Sequence, residues 1–123
     1  MIDLSKFVRS LKFAIKGIVH VFKTEQNFRI QIIAAALIAI LMVFFKTSFI
    51  ETVVLITMIT IVFIVEFINT VFERVVDVLK PRLHPYAMII KDIMAGSVLL
   101  ASLAALIIGL LIFLPKISDR FLT

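Results

Sequence analysis

Residues 93–114 read IMAGSVLLASLAALIIGLLIFL, an apolar run without one charged side chain. A helix needs roughly 20 such residues to cross the hydrocarbon of a bilayer, and this stretch supplies them. Two further runs precede it. Residues 52–72 are apolar but carry Glu66 and Asn69, and residues 30–45 are broken only by Gln31. The earlier run is slightly short for a span, but Arg29 and Lys46 at its ends can reach the interface. Of the 123 residues, 63% are hydrophobic, against about 45–50% in an ordinary soluble domain, and the mean hydropathy is +1.20. A soluble globule of this size buries only about two-thirds of its surface and could not hide so much apolar side chain. The composition therefore excludes a disordered chain and points to an all-α membrane protein. The pattern predicts a single domain over 1–123, with an N-terminal amphipathic surface helix at about 3–27 and three transmembrane helices at about 29–46, 50–79 and 87–115.

The first 29 residues differ in kind from the spans. Leu4, Phe7, Val8, Leu11, Ile15, Ile18, Val19 and Phe22 recur at the spacing of one helical face, and Lys6, Arg9, Lys16, His20 and Lys23 fall opposite them. A basic amphipathic helix of this kind lies on an anionic membrane surface. Phe13 interrupts its polar face, either to pack against another helix or to meet a planar ligand. The stretch lacks the continuous apolar core and cleavage site of a signal peptide.

The chain holds thirteen Lys and Arg against eight Asp and Glu, a net charge of +5, and no cysteine. Thiolate metal sites and disulfides are excluded. Most of the positive charge flanks apolar runs, so it reads as membrane orientation and not as a nucleic-acid surface. Lys6, Arg9, Lys12, Lys16, Lys23, Arg29, Arg74, Lys80, Arg82 and Lys91 fall on one side of three spans; Lys46, Lys116 and Arg120 fall on the other. The excess of basic residues on cytoplasmic loops places the N-terminus and the second connection in the cytoplasm and the C-terminus outside. Pro81 and Pro85 in that connection are expected to end the second span near residue 79 or 80.

Glu66 stands inside an apolar run. A carboxylate in hydrocarbon costs at least a few kcal/mol and tends to be functional. Glu66, Asn69, Glu73 and Asp77 follow at offsets of three, seven and eleven residues, which at about 100° per residue keeps them within about 80° on one helix face. Such a stripe also arises as a polar helix–helix contact or a solvated helix end. Against those readings, other charged residues converge on the same level: Lys91 and Asp92 open the third span, and Glu25 ends the surface helix. Carboxylates from several elements suit Mg²⁺, which takes oxygen ligands and shares them with phosphates. Lys91, and Arg9, Lys12 or Lys16, could balance phosphate charge. Glu66 lies deepest, where burial disfavours the charged form of an acid, and that suits a group taking a proton from a hydroxyl. From the residues alone the chain reads as a membrane enzyme moving phosphate from a water-soluble donor to a lipid alcohol. Any nucleotide site is of an uncommon kind, because no glycine-rich phosphate loop is present.

The series Glu66-Phe67-Ile68-Asn69-Thr70, Glu73-Arg74-Val75-Val76-Asp77, His84-Pro85, Lys91-Asp92 and Ala95-Gly96-Ser97 resembles the signature of the prokaryotic diacylglycerol kinase family, small integral membrane kinases unrelated to soluble ones. The resemblance covers nearly the whole chain. Phe22-Lys23-Thr24-Glu25-Gln26-Asn27-Phe28-Arg29 and Leu114-Pro115-Lys116-Ile117 are more similar to its Gram-positive undecaprenol kinase branch. The resemblance implies a homotrimer with composite sites at the cytoplasmic face, ATP as donor, and undecaprenol or diacylglycerol as the membrane lipid alcohol. It implies Glu66 as general base, Glu25 and Glu73 as ligands of Mg²⁺, and Asn69, Asp77, Lys91 and Asp92 around the nucleotide, with Arg9 reaching the phosphates. Gln31 stands where relatives often carry an acid or a histidine, so no charge-based role is expected of it. A non-catalytic three-span protein or an ion conduit would share the topology, but neither has a use for the whole series together.

Overall fold

In a computed structural model, residues 1–122 are described, apart from the side chain of Leu83. The chain forms three helical elements, α1 (Leu4–Thr24), α2 (Gln26–Phe45) and α3 (Phe49–Phe121), and no strand among the described residues. The helices follow from caps as much as from periodicity. The Asp3 side chain accepts hydrogen bonds from the N–H groups of Ser5 (2.9 Å) and Lys6 (3.3 Å), which satisfies donors that a helix start leaves free. At the far end Glu25 leaves helical geometry (φ −110°, ψ 109°), and this one residue separates α1 from α2. Arg29, in the first turns of α2, donates from Nη1 back to the carbonyls of Phe22 (2.8 Å) and Lys23 (3.1 Å). It thus caps carbonyls that the end of α1 would leave unmatched. The bend therefore sits at Glu25, a little before the boundary at 27–29 that periodicity suggests.

α2 ends at Lys46, whose left-handed backbone (φ 51°) closes the helix. Two residues later Ser48 and Glu51 cap α3 reciprocally: the Ser48 side chain accepts from the Glu51 N–H, and the Glu51 side chain accepts from the Ser48 N–H.

α3 is helical without a break from Phe49 to Phe121, 73 residues. A straight helix of that length would measure about 110 Å. Its ends nevertheless meet: Lys116 lies 2.9 Å from Glu51, and Lys91 contacts Asp77 at 2.5 Å. The element therefore doubles back between Asp77 and Lys91, giving two arms, Phe49–Arg82 and His84–Phe121, that are each long and apolar enough to cross a membrane, as is α2. The helical state runs through Pro81 and Pro85, where a break was expected. Each proline removes one N–H and so frees only one carbonyl, that of the residue four positions earlier. Both prolines are exposed, so water can take those carbonyls, and the loss on one side of the helix favours a sharp bend. Pro115 is also passed, and the last helix continues to Phe121 rather than stopping at 115.

Two aromatic clusters hold the spans together. Near the α1–α2 bend, Phe28 packs edge-on against Phe63 (5.2 Å) and Phe67 (5.0 Å) of the first arm and is 4% exposed. At the opposite end, Phe45 meets Phe113 (6.1 Å) and Arg120 lies over Phe44 (4.5 Å). Within the chain α1 buries only Val21, so its apolar face points outward, as a helix lying in a membrane interface requires.

Candidate active site

The acid stripe of α3 rises through the level at which the hydrocarbon ends. Counted from Phe49 at 1.5 Å per residue, Glu66 lies about 26 Å along the arm, Asn69 about 30 Å, Glu73 about 36 Å and Asp77 about 42 Å. For a hydrocarbon layer about 30 Å thick that begins at Phe49, Glu66 falls inside the apolar layer, Asn69 at its edge, and the other two beyond it. Burial follows the same order: Glu66 is 0% exposed and Asn69 5%, Glu73 is intermediate and Asp77 exposed.

Glu66 is placed by aromatic packing. Phe63 and Phe67 bracket it on α3, and both lie against Phe28. One turn after Phe28 on α2 comes Gln31, whose Nε2 donates to Glu66 Oε2 at 3.2 Å. The other carboxylate oxygen, Oε1, is buried and has no hydrogen-bond partner, and the same holds for Gln31 Oε1 and Asn69 Oδ1. Three buried oxygens without partners are unusual in a settled fold. Glu25 and Glu73 are both near enough for their charges to act on Glu66. Asn69 donates from Nδ2 to Glu73 at 3.3 Å, and Glu25 stands 3.8 Å from Arg74. Further out, Lys91 pairs with Asp77.

A cavity of about 360 Å³ opens beside these groups, lined in part by Asn27, Gln31, Asn69 and Glu73 and by Ala95 and Ser102 from the second arm. A second cavity of about 310 Å³ has an almost wholly apolar wall that includes Ala34, Ile38, Leu55 and Val62. The two share Ile30, Gln31 and Ser102.

The chain thus brings Glu25, Glu66, Asn69 and Glu73 to one place and joins Asp77 to Lys91 beside them. Arg9 and Asp92 are not gathered in: both are exposed and neither is paired among the described residues. Phe13 is 62% exposed, with Lys16 over its ring at 5.7 Å. No three acidic, histidine or cysteine side chains form a ready metal cluster among the described residues. Mg²⁺ does not require one, since it is commonly held by one or two carboxylates, waters and substrate phosphates. Glu73 lines the larger cavity beside the unpartnered side-chain oxygens of Gln31 and Asn69, and one carboxylate with neutral oxygens fits such an ion when substrate phosphates complete its shell. Gln31 is the participant that charge-based reading passes over, and its one signal is that it is the lone polar residue in its apolar run.

Comparison with known proteins bears on what this arrangement does. Residues 12–113 match the family model described as prokaryotic diacylglycerol kinase. An undecaprenol kinase of Bacillus subtilis is 36% identical over 115 residues, 94% of each chain. A diacylglycerol kinase of Synechocystis is 35% identical over 88% of this chain and 62% of its own length. A diacylglycerol kinase of Haemophilus influenzae is 29% identical over 80% of this chain and 83% of its own. No solved structure matches significantly. A fully buried acid in an apolar helix, a cavity close by and a family match across most of the chain agree: the chain belongs to the prokaryotic diacylglycerol kinase family and is a membrane-bound lipid kinase.

Proposed function

We propose that the enzyme transfers the γ-phosphate of Mg-ATP to the primary hydroxyl of undecaprenol, giving undecaprenyl phosphate. The observation that carries this reading is Glu66: fully buried, held through one oxygen by Gln31, and bare at the other. A lipid hydroxyl arriving from the membrane side donates its proton to Glu66 Oε1. The hydroxyl oxygen bonds to the γ-phosphorus as the bond from that phosphorus to the ADP oxygen breaks, and ADP leaves. Glu25 and Glu73 are the residues that would hold Mg²⁺, which when bound neutralises charge on the phosphates. Asn69, Asp77, Lys91 and Asp92 form the nucleotide side, with Lys91 aimed at phosphate and Arg9 reaching it from α1. Because Arg9 and Asp92 stay apart from the acids in one chain, the complete site draws on neighbouring copies, consistent with a homotrimer.

The side of the membrane follows from charge. Ten of the thirteen Lys and Arg lie with the N-terminus and the α3 reversal, which puts that face, and the active site, in the cytoplasm and the C-terminus outside. Undecaprenol is favoured by the relative from Bacillus subtilis, which matches this chain over 94% of both lengths. The two diacylglycerol kinases support diacylglycerol as the second reading, since both lipids present one primary hydroxyl. Labelled ATP with Mg²⁺ in mixed micelles decides between them. Faster labelling of undecaprenol is the expected result; preference for diacylglycerol overturns the substrate and keeps the chemistry.

A further inference from the structure

We infer that Gln31 is a positioning residue for phosphoryl transfer: its side-chain amide clamps one oxygen of the Glu66 carboxylate and so directs the other at the incoming hydroxyl. The inference rests on Glu66 being the base. The contact spans two helices and 35 residues of sequence, Gln31 Nε2 to Glu66 Oε2 at 3.2 Å. It is the only hydrogen bond made by the Glu66 side chain among the described residues, and Oε1 is left buried and unpartnered. A carboxylate free to rotate about its last bond presents either oxygen; one fixed by a donor presents the other in a single direction. That is the kind of preorganisation on which proton transfer depends.

The location of Gln31 fits this role. The two cavities share only Ile30, Gln31 and Ser102. An alcohol whose tail occupies the almost wholly apolar cavity would meet a phosphate donor held beside Asn69 and Glu73 in the other at this junction. Ile30 cannot hydrogen-bond through its side chain, and among the described residues the Glu66 side chain bonds to Gln31 and not to Ser102. Gln31 alone reaches from the junction to the base. The neutral amide donates to the carboxylate without adding a second charge beside it. Its own Oε1 is also unpartnered, leaving an acceptor at the junction. The packing of Phe28, three residues before Gln31, on Phe63 and Phe67, which flank Glu66, holds the two side chains in register.

The test compares wild type, Gln31→Met, Gln31→Asn and Glu66→Gln in mixed micelles, measuring kcat and KM for ATP and undecaprenol together with the thermal midpoint. Gln31→Met keeps the length and apolar stem and removes the donor; Gln31→Asn keeps the amide on a shorter stem. Both are expected to lower kcat about 10- to 100-fold, the worth of one hydrogen bond to a charged group, with KM for ATP unchanged and the midpoint lowered by no more than the loss of one buried hydrogen bond accounts for. If Gln31→Met does not fold, Gln31→Asn carries the test. Gln31 variants at wild-type kcat beside an inactive Glu66→Gln overturn the positioning role alone. A loss of kcat that comes with weaker ATP binding, or with loss of folded protein at the assay temperature, overturns it in favour of a structural role. An active Glu66→Gln overturns the assignment of the base itself.

Discussion

Replacing Phe28 with alanine should damage the active site without touching a reacting group. Phe28 is 4% exposed and meets both Phe63 and Phe67 at 5.0–5.2 Å. Each edge-on pair is worth about 0.5–1.5 kcal/mol beyond simple burial, so the two together contribute roughly 1–3 kcal/mol. Removing a buried ring in a soluble core costs about 3–5 kcal/mol in all. Within lipid the transfer share of that cost shrinks, because association between spans depends on packing and not on escape from water. The expected loss is therefore about 2–4 kcal/mol. Catalysis should suffer further, since Gln31 and Glu66 lie one turn from the lost contact, and displacement by about 1 Å can reduce a rate about 100-fold. Phe28→Leu, which keeps most of the volume, should retain more of both properties. The assay pairs reversible unfolding in detergent with kcat measured well below the midpoint. Phe28→Ala with stability and kcat both within twofold of wild type would refute the view that this aromatic clamp sets the register of α2 on α3.

Other perturbations separate the remaining parts. Arg29→Met removes the donor that caps Phe22 and Lys23; limited proteolysis should then cut near Glu25 faster, while the spans stay protected. Asp77→Asn breaks the contact with Lys91. Both partners are substantially exposed, and pairs of that kind add little stability, so the thermal midpoint should hold while KM for ATP changes several-fold. Glu25→Gln and Glu73→Gln should each raise the Mg²⁺ concentration needed for half-maximal turnover, and chelation of the metal should stop transfer with helical content unchanged by circular dichroism.

The membrane class was legible because length alone is decisive for an uncharged stretch such as 93–114, and no competing tertiary preference can rescue it in water. The stripe from Glu66 to Asp77 was legible because helical periodicity is rigid over eleven residues. Two features were not. Pro81 and Pro85 read locally as stops, but a proline that removes a donor and crowds the carbonyl four residues back can kink a helix as well as end it, and in an exposed segment water can meet the freed carbonyl. The helical state therefore persists through the reversal. Gln31 stood out as the one polar residue of its run, but its role was not legible, for another reason. Its significance lies in a partner 35 residues away, and an uncharged side chain leaves no mark on charge pattern or spacing. The bend at Glu25 falls between these cases: the composition shift near residue 29 announces it, but its location depends on which residue Arg29 can reach back to cap.

The most direct test of the proposed chemistry is single-turnover transfer by Glu66→Gln, with Mg-ATP binding measured on the same preparation. The substitution keeps the size of the side chain and an oxygen for Gln31 to bond, and it removes only the ability to accept a proton. The predicted result is ATP affinity within about twofold of wild type and transfer slowed by about 100-fold or more, the range that a positioned general base contributes. Transfer at the wild-type rate would contradict the assignment of Glu66 as the base and with it the mechanism built on its bare oxygen.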